Sequence, residues 1–216
     1  MGDAVVAAAA AAEGYDTART ALWIGGAQWA GKTTVARILA YRHRLTAYHW
    51  DYFDVRTYTD RLRAAGVETG PPDWVNSTPA DLATRALDLF PRRFEYTLED
   101  LRGLVSPHPV LAEGWGLRPE LVAPLLSAPT QMIVMVPTDE FRAHQIRTLP
   151  RAQAVGAVVT NPGRAQRNRL ARDRLIATDA VESARRLGIR VLEVDGSQDA
   201  EAVADILTDH FRPHLP

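Results

Sequence analysis

The stretch IGGAQWAGKTT at residues 24–34 constrains the fold of this chain more than any other part of its sequence. Gly26, Gly31, Lys32 and Thr33 stand at the spacing G-x-x-x-x-G-K-[ST], which is typical of a loop that wraps phosphate groups. Such a loop lies between a β-strand and the N terminus of an α-helix, because the helix aims its free backbone N–H groups at the anion. The motif therefore makes a prediction about the residues on both sides of it.

Both flanks of the loop fit that prediction. Residues 21–25 form a short apolar run that ends in glycine, and residues 33–41, TTVARILAY, place apolar side chains at helical spacing. The sequence therefore predicts a strand, a phosphate-binding loop and a helix, in that order. We expect the following residues to contact a nucleotide: Gly26, Ala27, Gln28, Trp29, Ala30, Gly31, Lys32, Thr33 and Thr34.

The rest of the chain alternates between short apolar runs and helical stretches. The runs at 46–50, 109–113, 131–136 and 190–194 lack polar alternation over much of their length, as strands covered on both faces do. Helices are predicted at 79–90, 92–104, 118–126, 139–148, 164–187 and 200–211. This alternation predicts a doubly wound α/β fold with three α/β/α layers and a five-stranded parallel sheet, and the loop motif makes it a fold of the P-loop NTPase kind. In such a fold, ligands bind beyond the carboxyl ends of the strands.

Composition narrows the possible functions. With 216 residues and 46% hydrophobic side chains, the chain is long enough for one domain, predicted at residues 21–216. The absence of cysteine excludes disulfides, thiolate metal sites and a cysteine nucleophile, and it is compatible with a cytoplasmic location. A formal net charge of −1 does not favour nucleic acid as a partner.

The N-terminal residues 1–20 are predicted to be a tail outside this domain. The alanine-rich run at residues 5–12 follows Asp3 rather than a basic region, and it is far short of the ~20 residues that span a bilayer. We interpret the run as either a frayed helix or a disordered segment, and we expect no membrane partner.

Carboxylates follow two of the predicted strands. The second strand leads into HWDYFD, with Asp51 and Asp54, and the third ends in Glu113. Asp51 can accept the proton of an attacking hydroxyl, and Glu113 can hold Mg²⁺ together with the hydroxyl of Thr33. In the alternative interpretations, Asp51 caps the next turn, Asp54 begins a helix and Glu113 is a solvated strand-end residue.

The same strand ends are where an acceptor molecule would bind. Trp115, two residues after Glu113, either lines the acceptor pocket or packs in the core. Residues 61–78 are rich in glycine and proline and are the best candidate for an irregular loop that covers the substrate. We expect the following residues to contact the acceptor: Asp51, Asp54, Glu113 and Trp115.

The segment at residues 158–174 is interpreted as a mobile cationic lid, and this lid is predicted over about residues 160–178. The segment opens with the turn signal Asn161-Pro162-Gly163 and then carries five arginines, whose guanidinium groups can clamp a transferring phosphoryl group. Alternatively, such arginines are solvated or paired with acids such as Asp173. The five are Arg164, Arg167, Arg169, Arg172 and Arg174, of which Arg167 is a candidate for nucleotide contact, and Arg147 and Arg151 are secondary candidates.

The last strand leads into the last helix through VDGSQDAEAV, residues 194–203. Asp195 and Ser197 lie in the turn, and Asp199 has the chemistry of a helix N-cap. In this architecture the turn is close to where an adenine would bind, although it can equally be a simple connection.

Taken together, these motifs resemble those of the P-loop small-molecule kinases. The resemblance is strongest to the uridine kinase and nicotinamide riboside kinase group, with the adenylate and shikimate kinases more distant. It rests on GGAQWAGKTT, HWDYFD, Glu113-Gly114 and the segment RLARDR at 169–174, and it covers nearly all of the chain from Ala21 onward. The resemblance implies ATP as donor, Mg²⁺ as cofactor, Asp51 as base, and Lys32, Arg169 and Arg172 as further catalytic residues.

The predicted function is therefore transfer of the γ-phosphoryl group of Mg-ATP to a hydroxyl of a small molecule. The acceptor stays open among nucleosides, sugars and natural products such as antibiotics, and a homodimer stays open as well. One alternative is a regulatory ATPase or switch that acts on a protein partner, and another is a kinase for nucleic-acid ends. The sequence contains no Asn-Lys-x-Asp signature for guanine, which favours ATP over GTP.

Overall fold

The computed structural model describes residues 16–149 and 159–216. Its centre is an all-parallel sheet of five strands in the order β2-β3-β1-β4-β5, which confirms the predicted three-layer α/β/α class. The strands are β1 (Leu22–Gly26), β2 (Thr46–His49), β3 (Val110–Glu113), β4 (Met132–Pro137) and β5 (Arg190–Val194). Every residue of the three inner strands is buried, whereas the edge strands β2 and β5 are partly exposed. This explains why the inner strands read as continuous apolar runs.

Helices cover both faces of the sheet because successive side chains of a strand point to opposite faces. Leu22 and Ile24 of β1 pack in one apolar cluster with the helices Lys32–His43 and Ala200–Phe211, and Trp23 packs in the other cluster with the helices Pro79–Gly103 and Pro162–Arg186. The α-helices are α1 (Thr17–Thr20), α2 (Lys32–His43), α3 (Trp50–Phe53), α4 (Thr59–Ala64), α5 (Pro79–Gly103), α6 (Pro119–Val122), α7 (Asp139–Thr148), α8 (Pro162–Arg186) and α9 (Ala200–Phe211). A π-helical segment, Asp54–Tyr58, joins α3 to α4.

The predicted break between two helices at Pro91 is wrong. Helix α5 runs without interruption through Pro91, whose ring lies on the exposed side. A proline inside a helix costs about 3 kcal/mol. Phe90 and Phe94, on either side of it, are both buried in the core, and their burial stabilises the continuous helix.

Other boundaries also differ from the prediction. The stretch predicted as a helix at 118–126 is α6 followed by a 3-10 turn, Ala123–Leu125. The predicted irregular loop begins only after α4, since this helix continues to Ala64. Asp199 is the N-cap of α9, as expected, and accepts a hydrogen bond from the backbone of Ala202 at 2.9 Å.

Residues 5–12 of the predicted tail and Arg151 lie outside the described residues. The end of that tail, α1, is packed against the domain, because Ala18 is fully buried and the Arg19 carbonyl accepts a hydrogen bond from Gln131. Among the described residues, no helix is both long and apolar enough to cross a membrane.

Candidate active site

The loop between β1 and α2 has the backbone that a phosphate-binding loop needs. Gly26 has a φ of 109°, and a Cβ atom there would lie 2.2 Å from the carbonyl oxygen of Met135, so only glycine fits where the chain leaves the sheet. Gly31 has a φ of 79° and directly precedes the first residue of α2. The loop therefore curls in front of the N terminus of α2, where free N–H groups can bind an anion.

Lys32 is the only lysine of the sequence and is the first residue of α2, directly after the loop. Its side chain is 5% exposed, and its Nζ donates a hydrogen bond to the carbonyl oxygen of Ala27 at 2.6 Å. Burial lowers the pKa of Lys32, and the nearby carboxylates of Asp51 and Glu113 oppose that shift. The ammonium group therefore stands beside two acidic side chains that come from two other strand ends.

Glu113, at the end of β3, contacts both the start of α2 and the end of β2. The Oγ1 of Thr33 donates to Oε1 of Glu113 at 3.0 Å, and Nδ1 of His49 lies 2.9 Å from the same oxygen. His49 faces Glu113 because these two residues are paired in the β2–β3 register. No signal in the sequence indicates this contact, because it depends on the strand register.

Thr33 and Glu113 fit the magnesium role predicted for them. The Oε2 atom of Glu113 is buried and has no hydrogen-bond partner within the described part of the chain, and Glu113 is 1% exposed. Carboxylate and hydroxyl oxygens are ligands that Mg²⁺ accepts. No group of three or more acidic or histidine side chains in the described ranges could hold a metal by itself. This donor set suits an ion that takes its other ligands from water and substrate phosphates.

Asp51 lies in the first turn of α3, next to the loop. It does not cap that turn, because His49 is the N-cap residue and makes no side-chain cap bond. Instead, Oδ1 of Asp51 accepts a hydrogen bond from the backbone N–H of Trp115 at 3.1 Å. Burial raises the pKa of Asp51, and the charge of Lys32 opposes the shift. A carboxylate with a raised pKa is a better proton acceptor, which suits a general base.

Asp54 begins the π-helical segment and is buried against α5. Its Oδ1 lies 3.0 Å from Nη1 of Arg93. Burial nevertheless raises the pKa of Asp54 to about 6, against the opposing charge of Arg93. Arg93 was not among the predicted site residues, because only the packing of α5 brings it to Asp54.

Two of the five predicted lid arginines face the site from α8. The guanidinium carbon of Arg169 lies 5.7 Å from the ring centre of Trp29, a residue of the phosphate-binding loop whose φ is 70°. Arg172 forms an ion pair with Asp173 at 2.7 Å and lies over the rings of two further tryptophans, Trp74 and Trp115, at 4.9 and 5.1 Å. Arginine and tryptophan at such distances attract each other through cation–π interaction.

The other three predicted lid arginines are on the solvent side of α8. Arg164 and Arg167 are exposed, and Arg174 pairs with Asp139 at 3.2 Å. The contact predicted between Arg167 and a nucleotide stays a prediction.

Helix α8 is also joined to the loop between α4 and α5. The side-chain amide of Asn168 donates to the carbonyl oxygens of Trp74 and Ser77, at 3.0 and 3.2 Å. This contact holds Trp74 where its ring can cover Arg172.

A pocket of about 360 Å³ lies under this loop. Its lining includes Trp74, Arg93, Trp115 and Arg172. Since Trp115 donates to Asp51 and Arg93 pairs with Asp54, the pocket adjoins both carboxylates. A second pocket of about 180 Å³ lies at the carboxyl end of β5, and its lining includes the turn residues Asp195, Gly196, Ser197 and Gln198.

No protein-family model matches this sequence, and no curated protein matches it. Among solved structures, the chain is similar to shikimate kinase from Acinetobacter baumannii in complex with shikimate, at 19% identity and a TM-score of 0.49, with 91% of this chain and 95% of that chain covered. It is also similar to a gluconokinase from Sinorhizobium meliloti 1021, at 13% identity and a TM-score of 0.45, with 90% of this chain and 93% of that chain covered. A third similar structure is shikimate kinase from Aquifex aeolicus, at 16% identity and a TM-score of 0.44, with 89% of this chain and 96% of that chain covered. All three are named as kinases. At these identities and TM-scores, the likenesses have no bearing on the activity of this chain.

Proposed function

We propose that this protein is a kinase that transfers the γ-phosphoryl group of Mg-ATP to a hydroxyl group of a small molecule. The observation that carries the proposal is the position of Asp51 between two compartments. On one side are Lys32 and Glu113 of the phosphate-binding region, and on the other is Trp115, which both donates to Asp51 and lines the 360 Å³ pocket. A base in this position can reach a hydroxyl in the pocket and the nucleotide in the loop.

The donor half of the proposal is supported by the loop and by the second pocket. The loop offers backbone N–H groups to phosphate oxygens, and the pocket beyond β5 offers space for the adenine of the nucleotide. Lys32 now donates to a neutral carbonyl, and a phosphate oxygen is a stronger, charged acceptor for it. Thr33 and Glu113 would hold Mg²⁺, which, when bound, neutralises phosphate charge.

The acceptor half is supported by the geometry around Asp51. The bond from Trp115 fixes Oδ1, so Oδ2 is the oxygen that we assign to the acceptor hydroxyl. In the proposed reaction, the hydroxyl proton goes to Asp51, the acceptor oxygen bonds to the γ-phosphorus, the bond to the β–γ bridging oxygen breaks, and ADP leaves. Arg169 at the loop is proposed to stabilise the charge of the transferring group, and a catalytic role of Arg172, which lies at the pocket, stays a prediction.

Finer predictions from the sequence stay proposals. They include the particular likeness to uridine and nicotinamide riboside kinases, the lid over residues 160–178, the cytoplasmic location and a homodimer. Nucleosides, sugars and natural products all remain candidates for the acceptor.

The single lysine offers a direct test of the donor site. An amine-reactive reagent can label only Lys32 and the N-terminal amine. Mass spectrometry of the peptide that contains Lys32 therefore measures the labelling of this one side chain. We expect Mg-ATP to protect Lys32 from labelling. Equal labelling with and without Mg-ATP would contradict the proposed donor site.

A screen tests the transfer itself. Purified protein with Mg-ATP is offered nucleosides, sugars and hydroxylated natural products, and both ADP and product mass are followed. The proposal expects the mass of one phosphoryl group on at least one acceptor. ADP release with inorganic phosphate as the only product would favour the regulatory ATPase instead.

A further inference from the structure

The pocket beside Asp51 has a lining that phosphoryl transfer alone does not require. Among the residues that the structure describes, its lining contains no aspartate or glutamate but four arginines: Arg63, Arg85, Arg93 and Arg172. A pocket for a neutral sugar or nucleoside needs hydrogen-bond donors and acceptors of both kinds, whereas guanidinium groups only donate. The lining therefore favours a ligand rich in acceptor oxygens.

Two of these arginines are largely buried, and each has one N–H donor without a hydrogen-bond partner in the described part of the chain. The side chains of Arg93 and Arg172 are only 13% and 10% exposed, and they pair through terminal nitrogens with Asp54 and Asp173. The Nε of each is buried and has no hydrogen-bond partner in the described part of the chain. A buried donor without a partner destabilises the folded state, so a ligand oxygen that accepted a hydrogen bond from it would be bound strongly.

The remaining two arginines add positive charge to the same lining. Arg63 pairs with the exposed Asp60 at 2.9 Å, and Arg85 donates to the carbonyl oxygen of Gly70 at 2.9 Å rather than to an acid. An anion that enters the pocket therefore meets four guanidinium groups, and within the described part of the chain Arg85 forms no ion pair with an acid.

The aromatic residues decide the direction from which an anion can approach. The rings of Trp74 and Trp115 lie over the guanidinium of Arg172. A ligand oxygen is therefore received in the guanidinium plane, the direction in which arginine donates to carboxylate and phosphate. The same two rings, with Pro71, Leu82 and Leu89 nearby, give the pocket an apolar wall for a flat ligand body.

We propose that the phosphoryl acceptor carries an oxyanion, either a carboxylate or a phosphate, in addition to its hydroxyl. Arg93 and Arg172 bind the oxyanion, and Trp74 and Trp115 contact a flat apolar part of the molecule. This inference deepens the proposed kinase function and rests on it, because the ligand is a phosphoryl acceptor only if the protein is a kinase. The binding of the anion can nevertheless be tested without any turnover.

The test uses three flat probes of similar shape: benzoate, phenyl phosphate and the neutral benzamide. Their binding is measured by calorimetry with the loop saturated with Mg-ADP, so that the anions do not bind there. We expect at least one anion to bind roughly tenfold tighter than benzamide, as a charge-assisted hydrogen bond provides. The better of the two anions identifies carboxylate or phosphate as the group recognised.

Matched variants locate the binding. Arg93→Gln and Arg172→Gln are each expected to remove most of the preference for the anion. Arg92→Gln and Arg185→Gln, which change exposed arginines of the same two helices, are expected to keep it. Equal binding of benzamide and both anions to the unmodified protein would overturn the inference, even if a variant failed to fold, and so would a preference that survives both pocket variants.

Failure of this inference and failure of the kinase proposal give different results. If Mg-ADP did not bind at all, the kinase proposal would fail, while the anion preference would still be read from the pocket variants. If Mg-ADP bound and a neutral compound were phosphorylated with no preference for anions, only the present inference would fail.

Discussion

The nucleotide end and the acceptor end of the candidate site are built in different ways. At the nucleotide end, Lys32 directly follows the phosphate-binding loop and Glu113 ends the strand beside β1, so motif spacing and strand order bring them together. At the acceptor end, Trp74, Arg93 and Arg172 come from a loop and two helices that carry no common motif. The first arrangement can be recognised before folding, whereas the second exists only once α5 and α8 pack. The donor is therefore easier to infer from the sequence than the acceptor.

Lys32→Ala should produce the largest effect and should separate the two ends. Loss of the ammonium group removes charge stabilisation from the transferring phosphates, so kcat/KM should fall by more than about 10³-fold. Anion binding in the acceptor pocket should not change, because Lys32 does not line it. Steady-state kinetics and probe calorimetry on the same variant measure both quantities. Arg37→Ala, at an exposed position of the same helix, is the control, and near-normal activity of Lys32→Ala would refute the role.

Asp51→Asn tests the residue that joins the two ends. Asparagine can still accept the hydrogen bond from Trp115 but cannot take a proton, so kcat should fall by about 10²- to 10³-fold. The affinity for Mg-ATP, measured by calorimetry, should change far less. Asp209→Asn, which changes an exposed carboxylate on α9, should be fully active. If Asp51→Asn were also fully active on the true acceptor, another group would have to be the base.

Asp54 makes the acceptor end sensitive to pH. Its pKa of about 6 in the folded state lies above the ordinary value of 3.8, so the folded state holds the proton more tightly. Its contribution to stability is therefore greatest below pH 4 and is lost as pH rises through about 6, with a total change of up to about 3 kcal/mol. In Asp54→Asn, which cannot deprotonate, this loss should be absent. Urea unfolding of both proteins at pH 4 and pH 7 measures the change in the free energy of unfolding. An equal change in the two proteins would contradict the raised pKa of Asp54.

Trp29 gives the smallest expected effect and tests the contact between the loop and α8. Trp29→Gly relieves a positive φ that costs about 1 kcal/mol and loses a cation–π contact of similar size, so thermal stability should hardly change. Because Arg169 loses its support at the loop, kcat should fall by roughly three- to tenfold. Trp29→Phe keeps an aromatic ring and should retain most of the activity. Identical kcat values for all three proteins would show that the contact does not position Arg169.

The phosphate-binding loop and the sheet were predictable because they depend on local signals. The glycines at 26 and 31 mark the loop, and the apolar runs mark strands that are buried on both faces. The break expected at Pro91 was wrong because a local signal, the proline, was overridden by the burial of Phe90 and Phe94. Tertiary packing, rather than propensity, decides such a case.

The acceptor end was only partly predictable for the same reason. Asp51, Asp54 and Trp115 could be named because they follow strand ends. Arg93 is 39 positions from Asp54 in the chain, and no spacing rule relates the two. The aromatic partner of Arg169 was equally hidden, since the side chain of Trp29 stands at a variable position of the motif.

The most direct test of the central claim follows the γ-phosphoryl group itself. Purified protein is given ATP labelled with ¹⁸O on the γ-phosphate, Mg²⁺ and a panel of hydroxylated carboxylic acids and phosphates with flat bodies, and the fate of the label is read by mass spectrometry. We expect the label to appear on an organic acceptor with wild-type protein and on none with Lys32→Ala. If the label appeared only in inorganic phosphate, or only in unreacted ATP, across that panel and across neutral nucleosides and sugars, the protein would not be a small-molecule kinase.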